Sequence, residues 1–198
     1  MRTQPQDVIA KLEADNSRLA KEKILLDAMN EGLDEFFEGL KMCLDKLYTF
    51  GVKQVPTKDE VISAQGCKWE VFKDLAEKLN KRELTGHAAR DAIELVMSSA
   101  TAEQWNGFYR RILIKDLRCG VSEKTVNSVA KKNKYGKYMV PVFTCQLAHD
   151  SANHEKKLVG EKMLEVKLDG VRTLAIAYPD GKVDMFSRNG KEFTNFGH

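Results

Sequence analysis

Between residues 165 and 172 the chain reads EVKLDGVR, so an acid, a lysine, an Asp-Gly pair and an arginine share one short stretch. A lysine amine attacks only when neutral, and a place beside an apolar strand and near other cations lowers its proton affinity through desolvation and like-charge repulsion. If MLEVKL is a strand, alternation puts Glu165 and Lys167 on one face and Val166 and Leu168 on the other. Asp169-Gly170 then turns the chain into RTLAIAY, PDG reverses it, and KVDMFSR returns. In that simple register Arg188 of SRNG comes back near the first turn, where it joins Lys167 and Arg172. One lysine and two arginines facing a common pocket suit a polyphosphate, whose charge they offset before and during a displacement. Neither GxxxxGK[ST] nor GxGxxG occurs, so a nucleotide would be held without those loops. Taken alone, KLDGVR also reads as a solvated Asp-Gly turn flanked by cations.

A second set of residues points to nucleic acid. The net charge is only +3, but residues 110–137 carry Arg110, Arg111, Lys115, Arg118, Lys124, Lys131, Lys132, Lys134 and Lys137 against Asp116 and Glu123. Gly120 and a helix start at Ser122 can present free backbone N–H groups to a phosphate, while Arg118, Lys124, Lys131 and Lys132 add charge. Nothing there resembles a base-reading motif, so binding independent of sequence and steeply dependent on salt is expected. A solvated basic face without a partner is the alternative.

The elements that must hold these residues are read from periodicity. Apolar residues recur every three or four positions up to about Lys132, with few prolines. The first helix is expected over Asp7–Met29, packing Val8, Leu12, Leu19 and Leu26 on a neighbour, and LDEFFEGLKMCLDKLYTF supplies a second. Thr57 with Glu60 and Thr101 with Gln104 fit capping boxes, and Ser122 is a plainer N-cap. Further helices are expected around Trp69–Leu79, His87–Met97 and Glu103–Lys115. Beyond Lys134 the pattern turns to strands, with Pro141 arguing against helix in 138–143. The expected fold class is α+β, with an all-helical domain over residues 1–137 and a partial antiparallel β domain over 138–198. That sheet looks unfinished, so either it packs on the helical domain or the chain is the front part of something longer.

Four scattered cysteines without a CxxC pair read as reduced and mostly buried. Cys145, His149, Asp150 and His154 match no common zinc spacing and read as a polar connector. No apolar run is long enough for a bilayer and the N-terminus lacks a signal-peptide core, so a cytoplasmic protein with no membrane partner is expected, as a monomer.

EVKLDGVR resembles motif I (KxDGxR) of the covalent nucleotidyltransferases, and FSRNG resembles a later motif of their adenylation domain. Within that superfamily KDLRCGVSEKTVN, PVFTCQLAH and TGHAARDAIEL are similar to the ATP-dependent DNA ligases of the bacteriophage type, where a helical DNA-binding domain precedes the adenylation domain. The resemblance is good over roughly the second half of the chain. It implies that Lys167 attacks the α-phosphate of ATP, releases pyrophosphate and carries AMP as a phosphoramidate. Glu165 would frame the adenine site, Arg172 would lie near the ribose and phosphate, and Arg188 would line the nucleotide site. The AMP would pass to the 5′-phosphate of nicked double-stranded DNA and leave as the 3′-hydroxyl seals the strand, with Mg²⁺ offsetting phosphate charge. In the family further carboxylates, lysines and an OB-fold domain follow, so this chain alone is expected not to seal nicks. An RNA ligase or another nucleotidyltransferase, and a non-catalytic DNA-binding module, are the alternatives.

Overall fold

The computed structural model describes residues 3–59, 64–145, 150–163, 165–166 and 169–193. It divides into two compact units, Met1–Val142 and Phe143–His198.

The first unit is helical, and its first departure from expectation lies at Asp15-Asn16-Ser17. There the single helix over Asp7–Met29 is broken into α1 (Pro5–Ala14) and α2 (Arg18–Asn30). The Ser17 N–H donates to Asp15 Oδ1 at 2.7 Å, because short polar side chains offer the backbone an alternative to helical bonds. The break resets the helical phase. Val8 and Leu12 stay buried, Leu19 is 77% exposed, and Leu25, Ala28 and Met29 take the inward face.

Helix α3 (Asp34–Leu44) buries Phe36, Phe37 and Leu40, and α4 (Trp69–Asn80) and α5 (Gly86–Ser99) follow. The Thr101 box forms as expected: its hydroxyl accepts from the Gln104 N–H at 3.1 Å, and Gln104 Oε1 accepts from the Thr101 N–H at 3.3 Å. It starts α6 (Ala102–Gln104), which continues through a π segment at Trp105–Tyr109 into α7 (Arg110–Leu113). The π segment turns Trp105, Phe108 and Tyr109 inward together. Tyr109 stacks on Phe72 at 4.3 Å, and Phe108 stacks on Trp69 at 5.8 Å. Helix α8 (Glu123–Lys132) buries Val126, Val129 and Ala130 and packs on α2.

No helix starts at Thr57; its expected partner Glu60 lies outside the described residues. Lys58 is instead buried, donating to the carbonyls of Met97, Ser98 and Ala100 at 2.9, 2.9 and 2.6 Å. It thereby closes the C-terminus of α5, whose last carbonyls lack partners within the helix. Lys115 does the same after α3, donating to Met42, Asp45 and Tyr48 oxygens at 2.7, 2.6 and 2.6 Å. Its own backbone is left-handed (φ 59°) and ends α7, with the Asp116 N–H bonded back to the Arg111 carbonyl at 3.0 Å. Arg82 (φ 63°) and Lys134 (φ 63°) end α4 and α8 in the same way.

Tyr138 stacks on Phe37 at 4.2 Å, and the Asn127 amide clasps the Val140 backbone at 3.0 and 2.7 Å. These contacts draw the chain beyond residue 137 into the helical core, and the first unit runs to Val142.

In the second unit β1 (Thr173–Ala177) and β2 (Val183–Ser187) pair antiparallel, from Thr173 opposite Ser187 to Ala177 opposite Val183. The turn between them closes with Tyr178 N–H donating to the Lys182 carbonyl at 2.8 Å. The fold is therefore α+β. The expected strand MLEVKL is not seen: Met163, Glu165 and Val166 carry no ladder pairing, and Leu164, Lys167 and Leu168 lie outside the described residues. A strand needs a partner for its backbone groups, and no described segment supplies one. Among the described residues no helix is long and apolar enough to cross a membrane.

Candidate functional site

Two clusters carry the expected site residues, one in each unit. In the second unit the register decides the geometry. Because Thr173 faces Ser187, the residues just outside that pair, Arg172 and Arg188, sit at the same open end of the hairpin, away from the Pro179-Asp180 turn. Cys145 lies between them: its thiol donates to the Arg188 carbonyl at 3.8 Å, and Arg172 Nη1 donates to its sulfur at 3.9 Å.

The SRNG sequence builds that end. Ser187 N–H donates to the Lys191 carbonyl at 2.7 Å, and Gly190 N–H to the Ser187 carbonyl at 2.9 Å, so Arg188, Asn189 and Gly190 form a three-residue loop. Such loops put a left-handed residue last, and Gly190 has φ +83°. A Cβ there would also meet the Phe143 ring at 2.5 Å, so this position takes glycine for conformation and for space. Phe193 N–H then donates to the Met185 carbonyl at 2.8 Å, which holds the loop against β2.

Arg172 and Arg188 are both exposed, as a polyanion would require. Glu165 is exposed. Lys167 itself lies outside the described residues. So does His149, and among the described residues no three His, Cys, Asp or Glu side chains gather as a metal site.

In the first unit the cations of 110–137 separate into two groups. Arg110 Nε donates to the Val55 carbonyl at 2.9 Å, Arg111 Nη1 reaches Glu13 and the Leu117 carbonyl at 2.9 Å, and Lys115 closes α3. Lys137 pairs with Asp34 at 2.9 Å and lies over the Tyr138 ring; hydrogen bonding to Tyr138 and Asp34 raises its proton affinity. These four serve the fold. Arg118, Lys124, Lys131, Lys132 and Lys134 remain exposed.

Lys124 and Lys131 are two turns apart on α8, with Lys132 adjacent, on the face opposite Val126, Val129 and Ala130. Ser122 sits at the N-cap with its hydroxyl 3.4 Å from the Thr125 hydroxyl and accepting from no backbone N–H, which leaves the first N–H groups of α8 uncapped from that side. Just before it, Arg118 (φ 52°) and Gly120 (φ 64°) shape a loop held by the Arg118 N–H to Asp116 Oδ1 bond at 2.9 Å. Arg118 also approaches Asp116 through its side chain at 3.6 Å, both groups being solvent-exposed, so that pair is weak.

Sequence reasoning missed two residues that matter here. Lys21 is buried at 8% exposure, donates to the Cys119 carbonyl at 2.7 Å and so supports the Arg118–Gly120 loop from beneath. Its signal was a lysine interrupting an apolar helical stripe. Cys145 reads from sequence only as part of a polar connector, and its place between the two arginines emerges from the hairpin geometry.

No protein-family model matches the chain, and no curated protein matches it. Among the solved structures similar to it are Pmar-Lig_PreS3 and Pmar-Lig_Pre, each at 61% sequence identity with a TM-score of 0.85. The likeness covers 99% of this chain and 44% of each of those chains. The chain thus spans less than half the length of the two structures, and what it is similar to over almost its whole extent is a ligase-like protein.

Proposed function

We propose that the chain acts as the DNA-binding and nucleotide-accepting N-terminal portion of an ATP-dependent DNA ligase. The observation that carries this reading is the register that brings Arg172 and Arg188 to one end of the β1–β2 hairpin, directly after the KxDG stretch. Two exposed guanidiniums there can hold the triphosphate of ATP. In the proposed chemistry the Lys167 Nζ lone pair forms a bond to the α-phosphorus, the bond to the bridging oxygen breaks, and pyrophosphate leaves with that electron pair. The amine loses its proton to give a lysyl-AMP phosphoramidate. Glu165 frames the adenine, and Arg172 and Arg188 balance charge as it moves onto the leaving group. Mg²⁺ would offset further phosphate charge when bound with the nucleotide.

The basic face of the helical unit supplies the other half of this reading. Arg118, Lys124, Lys131 and Lys132, with the backbone at Gly120 and Ser122, would neutralise phosphates of a nicked duplex without reading bases.

Incubation with ATP and Mg²⁺ followed by intact-mass measurement tests the proposal. An added AMP on the parent chain, absent from Lys167→Ala and reduced in Arg172→Ala and Arg188→Ala, is the expected result. An unmodified parent chain would leave the DNA-binding module as the better reading.

A further inference from the structure

Residues 49–58 run beside α5, and hydrogen bonds pin them in place. Thr49 N–H donates to Asn80 Oδ1 at 3.0 Å, Trp105 Nε1 to the Pro56 carbonyl at 2.8 Å, and Lys58 N–H to Asn106 Oδ1 at 3.0 Å. With the Arg110 bond to Val55, this makes a preformed wall. Between it, the α4–α5 turn and α5 lies a cavity of about 340 Å³ floored by Phe50, Leu84 and Ile93. A second hollow of about 490 Å³ continues along the same segment, sharing Lys53, Gln54, Pro56 and Arg90 with the first, so the two form one trough.

Cations predominate along the trough, with Glu94, in the second hollow, as the one acid among the described lining residues. Lys53, Arg82 and Arg90 border the first hollow with no acid among its lining residues, and none of the three makes an ion pair among the described residues. Arg82 is held in place: its left-handed backbone ends α4, and its guanidinium covers Gly51, where an added Cβ would overlap it. Exposed unpaired cations spaced along a concave surface fit a polymer that carries successive anionic groups. A deoxyribose-phosphate strand is such a polymer.

We infer that this trough binds a DNA strand through successive phosphodiesters, as a contact surface separate from the α8 face. It shares no residue with the Arg118–Lys132 cluster. The inference rests on the reading of the helical unit as a DNA-binding unit, and it adds a second place where the duplex is held. Lys53, Arg82 and Arg90 neutralise phosphates, and the partly buried Leu84 meets a sugar face.

Titration of a nicked duplex with the chain over a salt series provides the test, comparing parent, Lys53→Ala/Arg90→Ala, Lys131→Ala/Lys132→Ala, and the control Lys11→Ala/Lys23→Ala. The trough variant is expected to bind roughly tenfold more weakly near physiological salt, with the slope of log affinity against log salt reduced by about two. Its melting temperature should match the parent, since both side chains are exposed. Parent-like affinity in the trough variant beside a weakened Lys131→Ala/Lys132→Ala variant overturns the trough alone. An equal loss in the control reduces the effect to bulk charge and overturns it too, as does poly-glutamate binding that the trough substitutions abolish while duplex affinity stays intact. A parent chain with no measurable duplex affinity overturns the DNA reading itself.

Discussion

The ammonium of Lys21 donates to the Cys119 carbonyl at 2.7 Å, beneath Gly120, where an added Cβ would stand 2.5 Å from Lys21 Nζ. A buried cation and a left-handed glycine (φ +64°) therefore fit one another, and each constrains the loop that starts α8.

Gly120→Ala is expected to destabilise the chain by about 1–2 kcal/mol, from the left-handed backbone alone, with more lost as Lys21 is displaced. Lys21→Met should cost about 1–3 kcal/mol by leaving the Cys119 carbonyl without its donor. Urea unfolding followed by circular dichroism measures both. A neutral Gly120→Ala would contradict the close fit.

On α8, Lys131→Ala/Lys132→Ala should lower the salt slope of duplex binding by about two while changing stability by less than about 0.5 kcal/mol. Fluorescence anisotropy across a salt series, paired with melting curves, separates the two effects.

Stability should fall in alkali. Burial pushes the Cys43 thiol from 9.0 up to about 12, and burial also raises Cys119 and Tyr109. The unfolded chain releases these protons first, so the stability they contribute is complete below pH 9 and is lost as pH rises through 9 to 12. Lys115, lowered chiefly by burial, has the opposite sign and is outnumbered by the raised groups. Above pH 9 the unfolding free energy is expected to drop by roughly 1 kcal/mol per pH unit or more, and Cys43→Ala should flatten that limb.

Thiol labelling should single out one cysteine. Cys43, Cys67 and Cys119 are buried, whereas Cys145 is half-exposed beside Arg172 and Arg188. An aromatic disulfide reagent should react quickly at Cys145 and reach the others only on unfolding. Cys145→Ser should remove the fast phase, and ATP should slow it if the two arginines hold the triphosphate. Rapid labelling of Cys43 would contradict the core as described.

Local chemistry made much of this fold readable in advance. The Thr101–Gln104 box, the start of α8 at Ser122 and the hairpin with Arg188 at its far end each follow from neighbours in the chain. Misreadings arose where distant groups decide. Leu19 has the right spacing for a buried stripe, but the Asp15 turn rotates it outward. Arg110, Arg111 and Lys115 look like free surface charge, yet the Val55 carbonyl, the Glu13 carboxylate and the Met42 carbonyl, all far away in sequence, take them up. The strand expected at MLEVKL falls in large part outside the described residues.

Arg82 and Lys134 close their helices in a conformation that glycine adopts more easily, so each accepts backbone strain to place a positive charge at the negative end of a helix dipole. Those charges are exposed, whereas Lys58 performs its capping from a buried position. Concentrated salt screens the first kind and spares the second, while the strain remains. Brine should therefore fray the ends of α4 and α8 while leaving α5 closed.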